Sequence, residues 1–163
     1  MPRKRFPLWK VIELGSMSTN ELKEALRDSK FGTDRIASEI MDRVHISGAG
    51  TRIELVKVSL EELLLGNDPI REQIYDSARE WGLNLVPAEV GPQLRLQYPD
   101  QPDGEEVFLG MVPMCARDGN DYIFLLDRDG ESPGSRFLRS YRGDPGGPGV
   151  LWVFTYQHVT VAD

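Results

Sequence analysis

Pro87-Ala88-Glu89-Val90-Gly91-Pro92-Gln93-Leu94-Arg95-Leu96-Gln97-Tyr98 separates two kinds of sequence within this chain. Its second half alternates, with Leu94, Leu96 and Tyr98 interleaved between Gln93, Arg95 and Gln97. That is the period-two pattern of a half-buried strand. Upstream, apolar residues recur at helical spacing; downstream, short apolar runs alternate with Gly/Pro turns. Residues 1–81 hold five of the 16 Gly and three of the 11 Pro, and residues 82–163 hold the rest. Helices first and strands afterwards predict an α+β domain. The expected architecture is two or three helices packed on a mainly antiparallel sheet, with strands concentrated in the C-terminal half.

Working back from Pro87, the best-specified helix opens at Asp68-Pro69, with Asp as cap and Pro at the first helical position. Ile70, Ile74, Ala78 and Trp81 form its buried stripe. Gly82 ends it, and Leu83 sits where a Schellman turn wants its apolar contact. Ser59 with Glu62 has capping-box spacing and opens a short turn closed by Gly66. A strand precedes it at 52–58. Thr33 is positioned to cap a helix striped by Ile36, Ala37, Ile40, Met41 and Val44. Ser18 with Glu21 is a second capping box, opening a helix that carries Leu22, Ala25 and Leu26 and stops near Gly32. The first strand is PLWKVIEL, residues 7–14, ended by Gly15.

Working forward, strands are expected at 107–112, 122–126, 136–141 and 151–161, with hairpin-type turns at Asp103-Gly104 and Asp118-Gly119. The last strand puts Trp152, Phe154, Tyr156 and His158 on one face and Val153, Thr155, Val159 and Val161 on the other. Both faces are largely apolar, so it belongs in the middle of the sheet or is covered on both sides. No internal repeat and no interdomain linker divide the 163 residues, so a single domain is expected over 1–163, with 1–6 as a frayed basic tip.

The chain holds 19 Lys+Arg and 26 Asp+Glu, a formal net charge of −7. The first ten residues carry four bases and no acid, so the remainder stands at 15 bases against 26 acids, or −11. This balance argues against nucleic acid as partner. No apolar run has the ~20 residues of a membrane span. No apolar segment follows the basic tip as in a signal peptide, and the single cysteine, Cys115, allows no internal disulfide; a cytoplasmic location is expected.

Four residues are candidates for catalysis. Glu89 lies in a rigid, apolar Pro/Gly-rich turn, where a carboxylate can have a raised pKa and act as general acid or base. Arg95, Asp103 or Asp127 would complete such a site. The alternative is that Glu89 pairs with Arg95 or accepts backbone N–H groups to hold the turn. Cys115 has no sequence-local His to activate it and reads as a small buried hydrophobe. His45 and His158 are far apart and lack metal-ligand spacing, so neither a metal nor a cofactor is expected. Residues 18–44 invite a helix-turn-helix reading, but the second helix carries more acid than base, and a plain αα-hairpin is favoured.

Trp9-Lys10-Val11-Ile12-Glu13-Leu14-Gly15 and PAEVGPQLRLQY at 87–98 resemble segments of a family of small uncharacterised bacterial proteins. Val58-Ser59-x-x-Glu62-Leu63, residues 69–81 and PDQPDGEE are similar too. The resemblance spans most of the chain, is firmest over 69–112 and weakens across 114–150. It implies a bacterial cytoplasmic protein, a product of a hypothetical gene of the kind carried on mobile elements or gene cassettes. It carries over no activity and no catalytic residue. The expected function is that of a non-catalytic binding or interaction module, accessory to a mobile element, with a protein partner or self-association and room for a small-molecule ligand. Trp152, Phe154, Tyr156 and His158 are its expected ligand or interface residues. The competing reading is a small hydrolase that uses Glu89 with Arg95 and an Asp.

Overall fold

A computed structural model describes residues 6–66, 68–144 and 149–157. The basic residues Arg3, Lys4 and Arg5, His158, and the end of the expected last strand lie outside the described residues. The elements run β1 (Lys10–Leu14), α1 (Thr19–Asp28), β2 (Gly32–Thr33), α2 (Arg35–Met41), β3 (Thr51–Ser59), α3 (Arg71–Glu80) and α4 (Val90–Gln97). They continue β4 (Glu106–Leu109), β5 (Met114–Cys115), β6 (Asp121–Arg128), β7 (Arg136–Tyr141) and β8 (Leu151–Phe154). The fold is α+β, with four helices on a curled mixed sheet. Strand order is β1-β3-β8-β4-β6-β7-β2, and β5 pairs with β6. Among the described strands, β4–β8 and β2–β7 pair in parallel and the other pairs are antiparallel. Three strands come from the first 59 residues, so strands are spread along the chain rather than gathered in its C-terminal half.

Local chemistry specifies most of the helix ends. Ser18 and Glu21 make both bonds of the capping box at α1, and Ser59 and Glu62 do the same at the 60–65 turn. After α3, Leu83 N–H donates to Ala78 O at 2.9 Å and Gly82 N–H to Arg79 O at 2.9 Å. Gly82 has φ +83°, so this is the expected Schellman ending. Two starts move. Asp34, not Thr33, caps α2, its Oδ1 accepting from Ala37 N–H at 2.7 Å. α3 begins at Arg71 with Ile70 as cap, past Asp68-Pro69. Thr33 instead pairs with Leu138 in β2, so a strand separates α1 from α2. The chain there is neither a helix-turn-helix nor a plain αα-hairpin.

Residues 93–97, expected in a strand with Tyr98, instead form the end of α4, and Tyr98 follows as its C-cap. Pro92 is the third residue of α4, where an intrahelical N–H is not needed. At about 100° per residue, Gln93 and Gln97 fall on one side of the helix and Arg95 nearly opposite. Polar residues two apart therefore address two different walls. Gln97 exchanges two hydrogen bonds of 3.0 Å with the backbone of Glu13 on the outer edge of β1. Arg95, on the other side, reaches the carbonyls of β6 and β7. The sheet curls until α4 fills the space between its β1 end and its β6–β7 end.

β8 lies between β3 and β4 and is covered on both faces. On one, Trp152 and Phe154 meet the Tyr75 ring of α3 edge-on at 5.8 and 6.1 Å. On the other, Val153 is fully buried, and two strands along the sheet α4 packs against β6 so closely that a Cβ at Gly91 would lie 2.5 Å from the Phe124 ring.

Candidate functional site

Glu89 precedes the first turn of α4 and is fully buried. Its Oε2 accepts from Gly15 N–H at 2.6 Å and its Oε1 from Ser47 N–H at 2.8 Å. Gly15 follows β1 and Ser47 precedes β3, so one carboxylate joins two loops to the start of α4. Both oxygens are occupied by backbone donors. Gly15 has φ +80°, and a Cβ there would sit 2.2 Å from Gly48 O; the junction admits only glycine.

Arg95 is also fully buried. Its Nη1 donates to Gln101 Oε1 at 2.7 Å and to the carbonyls of Asp127 and Phe137 at 3.2 Å, and its Nη2 donates to Tyr98 O at 2.8 Å. Burial pulls the guanidinium down to about 10, helped by Arg136. Four neutral oxygens thus disperse a buried charge without a hydrogen-bonded carboxylate, the role expected of structural solvation.

The other candidates do not converge with Glu89. Asp103 is exposed, its Oδ1 accepting from Gly130 N–H at 2.7 Å. Asp127 meets Arg95 through its backbone carbonyl, while its carboxylate Oδ2 accepts from Arg139 Nε at 2.8 Å. Burial raises the Asp127 carboxyl against the opposing pull of Arg139. Trp152 and Phe154 are fully buried beneath α3 and offer no accessible surface. Tyr156 is half-buried, its hydroxyl accepting from Phe6 N–H at 2.9 Å. Cys115 is exposed instead of buried, because β5 lies on the rim of the sheet. Among the described residues no three His, Cys, Asp or Glu gather as metal ligands.

Two polar features were not visible in the sequence. Lys57 Nζ lies 3.1 Å from Glu105 Oε2 and 3.5 Å from the Tyr98 hydroxyl, which donates to Glu105 Oε1 at 2.8 Å. Trp9 covers this triad, its ring centre 4.6 Å from Lys57 Nζ. Burial and the carboxylate push the Tyr98 phenol up. Its members answer one another and latch the end of α4 to β3.

The second feature is a groove of about 910 Å³ between α1 and α2, the size range of small-molecule sites. Lys23, Leu26 and Arg27 line it from α1, and Arg35, Ile36, Glu39 and Met41 from α2. Phe31 and Thr33 line it from the segment joining the two helices, and Arg117 and Asp118 from the β5–β6 turn. Arg117 N–H donates to Glu39, which ties that turn to α2. A shallower depression of about 540 Å³ lies beside α3, lined by Leu63, Leu64, Leu65 and Trp81 among others. Leu64 is 70% exposed there with φ +61°. Sequence spacing gave no signal for the groove, since its walls come from three segments up to 95 residues apart, Lys23 to Asp118. Compared with family models, curated proteins and solved structures, the chain matches none of them.

Proposed function

We propose that this protein is a non-catalytic cytoplasmic binding module whose ligand site is the groove between α1 and α2. The observation that carries the reading is the separation of roles. Glu89, the carboxylate best placed in the sequence for acid–base work, spends both oxygens on backbone amides. The groove of about 910 Å³ lies elsewhere and is lined in part by Leu26, Phe31, Ile36 and Met41. A general acid or base must come within hydrogen-bond reach of its substrate, and Glu89 offers no free face for one. That speaks for a module over a hydrolase. An accessory role for a mobile element is the setting implied by the family resemblance.

Fragment screening by amide chemical-shift mapping tests this reading. Hits should move resonances of α1, α2 and residues 117–118. Hits clustering around 87–98, with turnover of an ester or amide library lost in Glu89→Gln, would favour the hydrolase.

Self-association is a second part of the proposal, supported by Leu64. A leucine held on a left-handed backbone with its side chain in water is costly for an isolated chain. Light scattering should give a dimer for the native chain and a monomer for Leu64→Asp; a monomeric native chain would remove this part.

A further inference from the structure

We infer that the α1–α2 groove holds a small organic anion, with a carboxylate or phosphate head on an apolar body. The inference rests on the binding-module reading and adds the chemical class of the ligand. Its basis is an asymmetry among the groove's charged groups. They balance formally, with Lys23, Arg27, Arg35 and Arg117 against Asp34, Glu39, Asp42 and Asp118.

Every acid already has a donor. Asp34 caps α2 and accepts from Ser140 N–H and its hydroxyl at 2.7 and 2.9 Å. Glu39 accepts from Arg117 N–H, and Asp42 pairs with Lys23 at 2.5 Å. Asp118 accepts from the Tyr122 hydroxyl and Asn120 N–H, which hold its carboxyl below the ordinary range.

The cations differ. Lys23 is paired, but among the described residues the guanidinium groups of Arg27, Arg35 and Arg117 have no ion pair and no hydrogen bond. They stand on three separate elements that face one cavity. Guanidinium forks recognise carboxylate and phosphate oxygens in paired hydrogen bonds. Below them, Leu26 and Met41 are buried and Phe31 and Ile36 half-buried, a floor suited to an apolar body. Because the formal charges cancel, the groove has no long-range pull on a polyanion such as nucleic acid. Recognition has to be short-ranged, which fits a small anion with one charged head.

The test titrates the labelled full-length chain with decanoate, decyl phosphate and decanol, following amide shifts. At least one anion should perturb α1, α2 and residues 117–118, and the preferred head separates carboxylate from phosphate. Decanol should bind about tenfold or more weakly, the worth of a charged hydrogen-bonded head. Replacing Arg27, Arg35 and Arg117 together by Ala should remove that preference, and because all three are exposed the variant should keep the native spectrum elsewhere. Decanol binding in the groove as well as the anions, or the triple variant binding them unchanged, would overturn the anion and leave the groove as a binding site. No perturbation of the groove by any probe at about 1 mM, the weak end of measurable affinity, would overturn both.

Discussion

Glu89 takes one hydrogen bond from each of two loops that are 32 residues apart, at Gly15 and Ser47. Glutamine there can accept only one of them, and its amide group would face the other donor. Glu89→Gln should therefore cost about 3 kcal/mol, the scale of a charged hydrogen bond lost with a buried donor left unanswered. Denaturant unfolding measures it. Tyr75 gives a pH prediction. Its hydroxyl donates to Met111 O and accepts from Met111 N–H, and burial pushes the phenol from 10.0 up to about 12. The folded state holds this proton more tightly than the unfolded chain does. Its contribution is complete below pH 10 and falls away as the pH rises through about 12, by about 3 kcal/mol in all. Tyr75→Phe should lessen the fall in stability over that window by about one titrating group, as read in unfolding curves from pH 9 to 12.

At the scale of elements, α4 is the piece on which the rest leans. Gly91→Ala would drive a methyl group into Phe124 and should cost about 2 kcal/mol, a typical overpacking penalty. Arg95→Lys keeps the charge and loses the fork that spans Gln101, Tyr98 and the two sheet carbonyls; a loss of about 3 kcal/mol in unfolding free energy is expected. α4 also marks the boundary of what was legible. The capping boxes at Ser18 and Ser59 and the turn at Gly82-Leu83 could be read because their partners lie within a few residues. Six consecutive residues of α4, Val90 to Arg95, are buried, so its alternation records two walls and not one wet face. Those walls are β1, β6 and β7, remote in sequence. β2 escaped notice because two residues leave no period. At the candidate site, the option that Glu89 accepts backbone N–H groups was open from the turn-rich sequence, while the groove depends on which distant segments meet.

For the whole molecule, the proposed binding groove and the buried polar network lie on different sides of the fold. The polar residues of 87–98 solvate the inside of a curled sheet, and the groove with its three unanswered arginines lies outside, between α1 and α2. The charge pattern agrees with this division. A body at −11 beyond its first ten residues repels polyanions at long range, and in the proposed reading the local cations select by contact. The most direct measurement is the affinity of Glu89→Gln for decanoate and decyl phosphate, taken beside its unfolding free energy. A clear loss of stability is expected, with affinity unchanged from the native chain. A folded Glu89→Gln protein that no longer binds either anion, with stability intact, would contradict it.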